Sequence, residues 1–253
     1  MAKLSLSVAI ISYNEEANLR RTLESIAPFA SEIILVDSDS TDRTREIATE
    51  FGAKIYIEEW RGHIAQKNSA LEKCTQEWIL SLDCDEVVTP ELAASLPKAI
   101  ANTEVMGWRI NRRTVYLGKI LRYAWQPDRK LRLVRHDARP LWGGYNPHDV
   151  LFIEGRTETI HGELLHYSYR DMRQHFDKTV YYAYNTAVSY HTSGKKPTLG
   201  KLLLNPSYSF IRNYIFQRGF LDGIHGFIAA MSAFVYVFLK YAFLWEMKGK
   251  DKK

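Results

Sequence analysis

The chain has 253 residues, an apolar fraction of 46% and a formal net charge of +5. That is enough for one large domain, or one and a half, with a sizeable core. Its two cysteines, Cys74 and Cys84, give no disulfide framework and lack metal-ligand spacing, which excludes a disulfide-stapled scaffold and suits a reducing compartment. No charged leader with an apolar core and cleavage site opens the sequence. Leu4 to Ile11 reads as a first strand instead, so a cytosolic location is expected.

The first hundred residues alternate strand and helix signals. Leu6 to Ser12 is an apolar run, and Glu16 to Ile26 carries Leu19, Leu23 and Ile26 at helical spacing. Ile33 to Val36 is a second apolar run ending in Asp37, and Thr41 to Phe51 has a polar start and an apolar face. Lys54 to Ile57 gives a short third strand, Ala65 to Leu71 a helix, and Trp78 to Leu82 a fourth strand. Thr89-Pro90-Glu91 opens another helix, with a capping hydroxyl, a proline at the first helical position and an acid in the first turn. Strands alternating with helices of this length predict a parallel sheet with right-handed crossovers, the plan of an α/β nucleotide-binding unit.

Ligands of open α/β sheets bind beyond the carboxyl ends of the strands, and here those ends are polar. The first is followed by Ser12-Tyr13-Asn14-Glu15-Glu16, the second by Asp37-Ser38-Asp39-Ser40-Thr41-Asp42, the fourth by Asp83-Cys84-Asp85-Glu86. Two aspartates at i and i+2 on a turn can both reach one hard divalent cation through oxygen, and the cation would hold a diphosphate. Taken alone, the same acids equally solvate a turn and help start a helix. Neither G-x-G-x-x-G nor a Walker lysine motif is present, so phosphates would be neutralised by metal and side chains. Lys67, in Gln66-Lys67-Asn68, is a candidate for that task or simply a solvated helix lysine.

In this order and spacing, Ser12 to Glu16, Val36 to Asp42, Gln66-Lys67-Asn68 and Asp83 to Glu86 resemble family 2 glycosyltransferases with the GT-A fold. The resemblance implies a Rossmann-like nucleotide-sugar domain with a mixed sheet. It implies that Ser12, Tyr13, Glu15, Asp37, Asp39, Lys67 and Asp83 line the nucleotide sugar. It also implies that Asp85, with Asp83 beside it, holds Mg²⁺ or Mn²⁺.

From Gly107 the pattern becomes more irregular, with strand signals at Trp108 to Ile110, Leu131 to Val134 and Val150 to Ile153. Ten Lys and Arg side chains lie between Arg109 and Arg139, against only Asp128 and Asp137. Such a patch attracts phosphates of any kind, or is a solvated face. Arg122-Tyr123-Ala124-Trp125 and Trp142-Gly143-Gly144-Tyr145 add aromatics that look exposed and suit sugar rings, although each could pack in a core. Arg122, Trp125, Arg132 and His148 are the candidate acceptor-binding residues.

Inverting glycosyl transfer needs a base for the acceptor hydroxyl, and Asp149 is the candidate, with the alternative that it pairs with an arginine. In the resembled subgroup, bacterial lipopolysaccharide core β-1,4-glucosyltransferases, the corresponding motif usually reads His-Glu. Here it is His148-Asp149, one methylene shorter. His166 can complete a metal shell with Asp85, hydrogen-bond the diphosphate, or sit satisfied in the core. Leu165-His166-Tyr167-Ser168-Tyr169 resembles the His-Tyr-Ser-Tyr-Arg stretch of the subgroup.

Ser168-x-x-Asp171 reads as a capping box, with apolar positions from Met172 to Tyr190 at helical spacing after it. A second helix, Thr198 to Gln217, contains Pro206, which is expected to kink or break it. Ile224 to Leu239 is uncharged apart from His225 and short for a full span. With its aromatic and lysine-rich end it is expected to lie at or dip into the membrane interface, a buried core helix being the alternative. Gly-Phe-Leu-Asp-Gly before it also resembles the C-terminal part of the same enzymes.

Three regions are therefore expected: a nucleotide-sugar half over 1–105, an acceptor-binding and catalytic half over 106–168, and a membrane-associating helical region over 169–253. The resemblance implies a metal-dependent enzyme moving a hexose, glucose from UDP-glucose, onto the heptose region of the lipopolysaccharide inner core. It would be cytoplasmic and peripheral on the inner membrane of a Gram-negative bacterium, with no nucleic-acid partner. A polyprenyl-phosphate or O-antigen or capsule acceptor remains open. So does a different class, a non-catalytic basic module for membrane surfaces or nucleic acid.

Overall fold

A computed structural model of the chain describes residues 2–145 and 148–250, with the backbone only for Tyr145, His148 and Lys250. The chain forms two compact units, one made of Met1–Arg112 and Asp128–Tyr167, the other of Arg113–Pro127 and Ser168–Lys253.

The first unit opens with β1 (Leu4–Ser12), α1 (Glu16–Ile26), β2 (Ala30–Asp37), α2 (Thr44–Glu50), β3 (Lys54–Ile57), α3 (His63–Glu72) and β4 (Trp78–Asp83). It continues through β5 (Glu86–Val88), α4 (Pro90–Ile100), β6 (Gly107–Tyr116), β7 (Lys119–Ile120), β8 (Arg129–Arg135), β9 (Leu141–Tyr145), β10 (His148–Phe152) and β11 (Thr157–His166), with β7 and the end of β6 falling in the second unit. The sheet order is β3-β2-β1-β4-β8-β6-β11-β5, and β9 and β10 make a separate hairpin. The first four strands are parallel, as the alternation of strand and helix requires. Beyond β4 the sheet turns mixed, because β8 runs antiparallel to both β4 and β6, and β11 antiparallel to β5.

Side chains alternate across the parallel strands and feed two cores. Leu6, Val8 and Ile10 of β1 and Trp78, Leu80 and Leu82 of β4 pack with Leu19, Leu23, Leu92 and Leu96 of α1 and α4. Ala9, Ile34, Val36 and Ile79 face the other way, onto Ala70 and Leu71 of α3 and onto Trp142 and Leu151 of the hairpin. Helix α4 begins where its sequence predicts, with Thr89 Oγ1 accepting from the Leu92 amide. Helix α2 starts three residues later than its pattern indicates, since the Thr41 amide donates to Asn14 Oδ1 and Asp42 Oδ1 accepts from the Thr44 amide. Gly162 is needed where β11 crosses α4: its φ is +103°, and a Cβ there would lie 2.4 Å from the Leu92 backbone.

In the second unit, β7 pairs with the end of β6, and α5 (Met172–Thr192), α6 (Leu199–Ile211) and α7 (Ile224–Lys250) follow. The start of α5 corrects the expected box. Asp171, not Ser168, is the cap, accepting from the Gln174 amide at 2.8 Å, because the chain is still extended at Asp171. Helix α6 also departs from expectation by running through Pro206, which forfeits one backbone bond, and the winding loosens to a π turn only over Arg212–Phe216. Helix α7 is continuous for 27 residues, and by length and composition it is long and apolar enough to cross a membrane. Its start is fixed by Asp222, a buried carboxylate that accepts from the backbone amides of Arg122, Tyr123 and Ala124 at 2.8–3.0 Å.

A buried acid also ties the first unit together. Glu32 on β2 is 6% exposed and accepts from Ser7 Oγ, from Lys54 Nζ at 2.7 Å and from the Thr75 amide at 2.8 Å. Burial pushes its carboxyl up, but Lys54, Ser7 and Thr75 together bring it down to about 2 from an ordinary value of 4.5. A folded value below the unfolded one means that this stability is present above the unfolded value and is lost as pH falls towards 2. Urea denaturation over a pH series should show stability declining below about pH 4.5, with a contribution from Glu32 on the order of 3 kcal/mol. In Glu32→Gln the decline should be shallower and the stability at pH 7 lower.

Candidate active site

The site grows from the carboxyl ends of β1, β2 and β4, as strand polarity dictates. The loops after β1 and β2 are stitched together: Asn14 and Asp39 both take left-handed backbone, and the Asn14 amide donates to Ser40 Oγ at 2.9 Å. Tyr13 is 59% exposed, Asp39 is exposed with Arg45 at 3.4 Å, and Glu15 is half-buried, accepting from Asn18 Nδ2. Asp37 departs from the sequence reading. Its side chain is fully buried and accepts from Ser12 Oγ at 2.7 Å and from the Ser40 amide at 2.8 Å and hydroxyl. Asp37 therefore shapes the loop that carries Asp39, and Ser12 is spent on holding it.

The turn after β4 separates its three acids by direction. Asp83, the last residue of the strand, has Lys67 Nζ 2.9 Å from Oδ1 and Arg132 Nη2 2.7 Å from Oδ2. Glu86 points inward, is fully buried, and takes Arg132 at 2.7 Å and Arg112 at 3.1 Å on Oε1. Asp85, between them, has Oδ2 3.3 Å from His166 Nε2. The pairing of His166 with Glu86 across β11 and β5 is what brings that imidazole alongside the turn.

Helix α3 brings the base candidate into the same cluster. Asn68 grips β9 both ways, donating to the Trp142 carbonyl at 2.9 Å and accepting from its amide at 2.7 Å. The hairpin register sets Asp149 opposite Gly144, and Asp149 Oδ2 receives Lys67 Nζ at 2.7 Å. Lys67, 7% exposed, thus sits between two carboxylates, 4.3 Å from the centre of the Trp142 ring. The partner of Asp149 is this lysine, where the sequence reading had offered an arginine.

The charges set the titration of the acids. Burial pushes the Asp83 carboxyl up, but the Arg132 and Lys67 charges outweigh it and hold the group well below the usual carboxylate range. Asp149 is likewise raised by burial and lowered overall by the Lys67 charge and hydrogen bond.

Several readings of the basic stretch need correction. Arg132 is 3% exposed and locked between Asp83 and Glu86, so it positions these acids and offers no acceptor surface. Arg112 pairs with Glu86 and Asp128, and Arg135 with Asp137, leaving much of the stretch internally balanced. Trp142, read as exposed, is buried. Arg122, exposed, and Trp125, half-buried against Tyr116 and His175, belong to the second unit. Residues 146–147 and the side chain of His148 lie outside the described residues. Glu86, Arg112 and Asn68 lie in stretches marked by the sequence, which gives none of them a role of its own. Glu86 stood in the acidic turn, but nothing in the turn's composition says which acid faces inward.

A divalent cation fits this site only in part. Asp83 has both oxygens in ion pairs, and among the described residues no group of three His, Cys, Asp or Glu side chains could hold a metal. Asp85 and His166 remain as an adjacent oxygen and nitrogen donor, matching the borderline chemistry of Mn²⁺ or the like.

The fold, with its polar strand ends, is that of the GT-A glycosyltransferases. A mannosyltransferase from Pyrobaculum calidifontis, solved with GDP-mannose and Mn²⁺, superposes with a TM-score of 0.56 at 15% identity, over 96% of this chain and 88% of that one. Staphylococcus aureus TarS, solved with UDP-GlcNAc, gives 0.51 at 14% identity, over 92% and 81%. A sequence profile of glycosyl transferase family 2 matches residues 7–151. The chain belongs to glycosyl transferase family 2. Among its relatives, the lipopolysaccharide core biosynthesis glycosyltransferase LpsC of Rhizobium meliloti is 34% identical over 96% of this chain and 93% of its own. An uncharacterized glycosyltransferase of Rickettsia typhi is 28% identical over 98% and 89%.

The buried network makes a stability prediction. Arg132→Met takes one of two cations from each of Asp83 and the fully buried Glu86, leaving Lys67 and Arg112, and should cost up to about 3–5 kcal/mol in urea denaturation at pH 7. A loss under about 1 kcal/mol, the range of a surface pair, would show that Arg132 is not what holds the turn.

Proposed function

We propose that the chain is an inverting glycosyltransferase that moves a hexose, glucose from UDP-glucose, onto the heptose region of a lipopolysaccharide inner core at the cytoplasmic face of the membrane. The observation that carries the reading is the convergence of Asp83, Asp85, Asp149, Lys67 and His166 at one set of strand ends. The likeness to LpsC over nearly the whole chain supports the class of acceptor.

In this reading Tyr13, Glu15 and Asp39 contact the nucleoside, and Lys67 and Asp83 face the sugar-diphosphate. Asp85 and His166 would hold Mg²⁺ or Mn²⁺, with the diphosphate and water as its other ligands. Such a cation supplies charge neutralisation and Lewis acidity at the leaving group. The acceptor hydroxyl oxygen attacks the anomeric carbon as the bond to the diphosphate breaks and its electron pair leaves on the nucleotide. Asp149 takes the hydroxyl proton, and Lys67 keeps its carboxylate ionised and aimed.

A panel of UDP- and GDP-hexoses, with and without Mn²⁺ or Mg²⁺, tests donor and metal together. A metal-requiring UDP-hexose signal is expected, reduced at least about a hundredfold in Asp85→Ala. The same variant should also lose Mn²⁺ binding in calorimetry with UDP present. Turnover of no nucleotide sugar under any metal would sink the proposal.

The pH profile tests the base. The lowered Asp149 carboxyl keeps the ionised form to pH values below the ordinary Asp value of 3.8. In Lys67→Met, burial and the neighbouring Asp83 charge, which both raise it, are opposed only by a backbone hydrogen bond. The acid limb of kcat/KM should therefore move upward in Lys67→Met, and an unmoved limb would remove Asp149 as the base.

A further inference from the structure

Helix α6 turns most of its large aliphatic side chains outward. Its inward side mixes Leu202, Pro206 and Phe210 with two polar residues that α7 satisfies: Asn205 Nδ2 donates to the Tyr241 hydroxyl at 3.0 Å, and Ser209 Oγ to the Ala233 carbonyl at 3.4 Å. Pro206 is the one residue of α6 that is buried. The outward residues are Leu199, Leu203, Leu204, Tyr208 and Ile211, between 44% and 70% exposed. At the helical period these fall within one half of the circumference. The apolar strip continues past the helix in Ile215 and Phe216, then in Phe220 and Leu221, and all four are exposed. Soluble proteins rarely leave so long an apolar strip in water, and such patches mark contact surfaces.

The charge around this strip says what it contacts. From Ser193 to Leu221 the chain has five cations, Lys195, Lys196, Lys201, Arg212 and Arg218, and no Asp or Glu. Lys201, Tyr208 and Arg212 are seven and four residues apart and so share one edge of the helix, while Lys195 and Lys196 precede the helix and Arg218 follows it. Lys196, Lys201, Arg212 and Arg218 are exposed. An apolar face edged by cations complements an anionic lipid surface, with acyl chains meeting the leucines and headgroups meeting the lysines and arginines.

We infer that the outer face of α6, with the 212–221 turn, is the membrane-docking surface of this protein and that its partner is an anionic phospholipid monolayer. This deepens the membrane-surface part of the proposed function and rests on it for its biological sense. Helix α7 then serves as the scaffold that α5 and α6 pack against, through Ala187, Leu202, Tyr241 and Leu244.

The test is sedimentation of the full chain with vesicles of phosphatidylglycerol and phosphatidylcholine in equal parts, against phosphatidylcholine alone. Preferential binding to the anionic vesicles is expected. Leu203→Ser with Leu204→Ser should weaken it by about tenfold or more. Lys201→Glu with Arg212→Glu should abolish the preference for anionic lipid. Both positions pairs are on the surface, and unchanged thermal melting would confirm the fold. Metal-dependent donor hydrolysis by the same preparations reports on the transferase reading separately and should be unaltered. Wild-type binding by the Leu pair variant, or equal binding to neutral vesicles, overturns the inference. A lipid-free dimer that the Leu pair variant dissolves would also overturn it, assigning the face to a second copy of the chain.

Discussion

One ammonium group organises this site. Lys67 Nζ lies within 2.9 Å of two carboxylates from well-separated parts of the first unit's sequence, Asp83 on β4 and Asp149 on the late hairpin. Without a cation there, two ionised acids would face each other in a half-buried space, and one would have to take a proton or turn to water. Arg132 does the same on the other side of Asp83, where it also neutralises the fully buried Glu86. Asp83 and Asp149 are thus kept charged by fixed cations, the condition on which the roles proposed for this site depend.

That arrangement divides the Asp-x-Asp turn into two kinds of acid. Asp83 has each oxygen committed to a cation of the protein, whereas Asp85 has an imidazole beside it. A carboxylate already paired twice is a poor ligand for an added ion, since binding would have to displace one buried pair. The metal role proposed for this turn therefore falls on Asp85 and His166, and the role proposed for Asp83 is to set the place of Lys67. Motif and spacing assign both acids to the same task; the ion pairs distinguish them.

How much of this could be read from sequence follows from which physical signal carries each part. The parallel strands were legible because two-sided burial writes an unbroken apolar run, as in Ile33–Val36 and Trp78–Leu82. The polar strand ends were legible because ligand chemistry there needs uncommon residue types in a fixed order. What was not legible is orientation. Asp37 and Asp39 are two residues apart, yet the first is fully buried beneath Ser12 and Ser40 while the second is 78% exposed. Arg132 reads as one of ten basic residues, and only the fold shows that it points at Asp83. Asn68 fixes the hairpin through backbone groups of residue 142, a contact between positions 74 apart that no local pattern records.

The helical unit shows the same limit from the opposite direction. Sequence directs attention to α7, since it has the long apolar run, and hydropathy alone makes it the membrane element. Yet some of the apolar side chains of α7, Tyr241 and Leu244 among them, pack with α5 and α6, so its hydrophobicity is spent partly inside the protein. Helix α6 is shorter and carries a proline, two features that lower its weight in any reading by length and composition. Leu199, Leu203 and Leu204 nonetheless project outward, while Asn205 and Ser209 take inward positions beside Leu202 and are satisfied there by α7. A polar group placed inward and hydrogen-bonded costs little, whereas leucines placed outward in water give up their burial. The proposed docking of that side on a lipid surface accounts for both at once, and the cations at the edges of the strip are what select an anionic one.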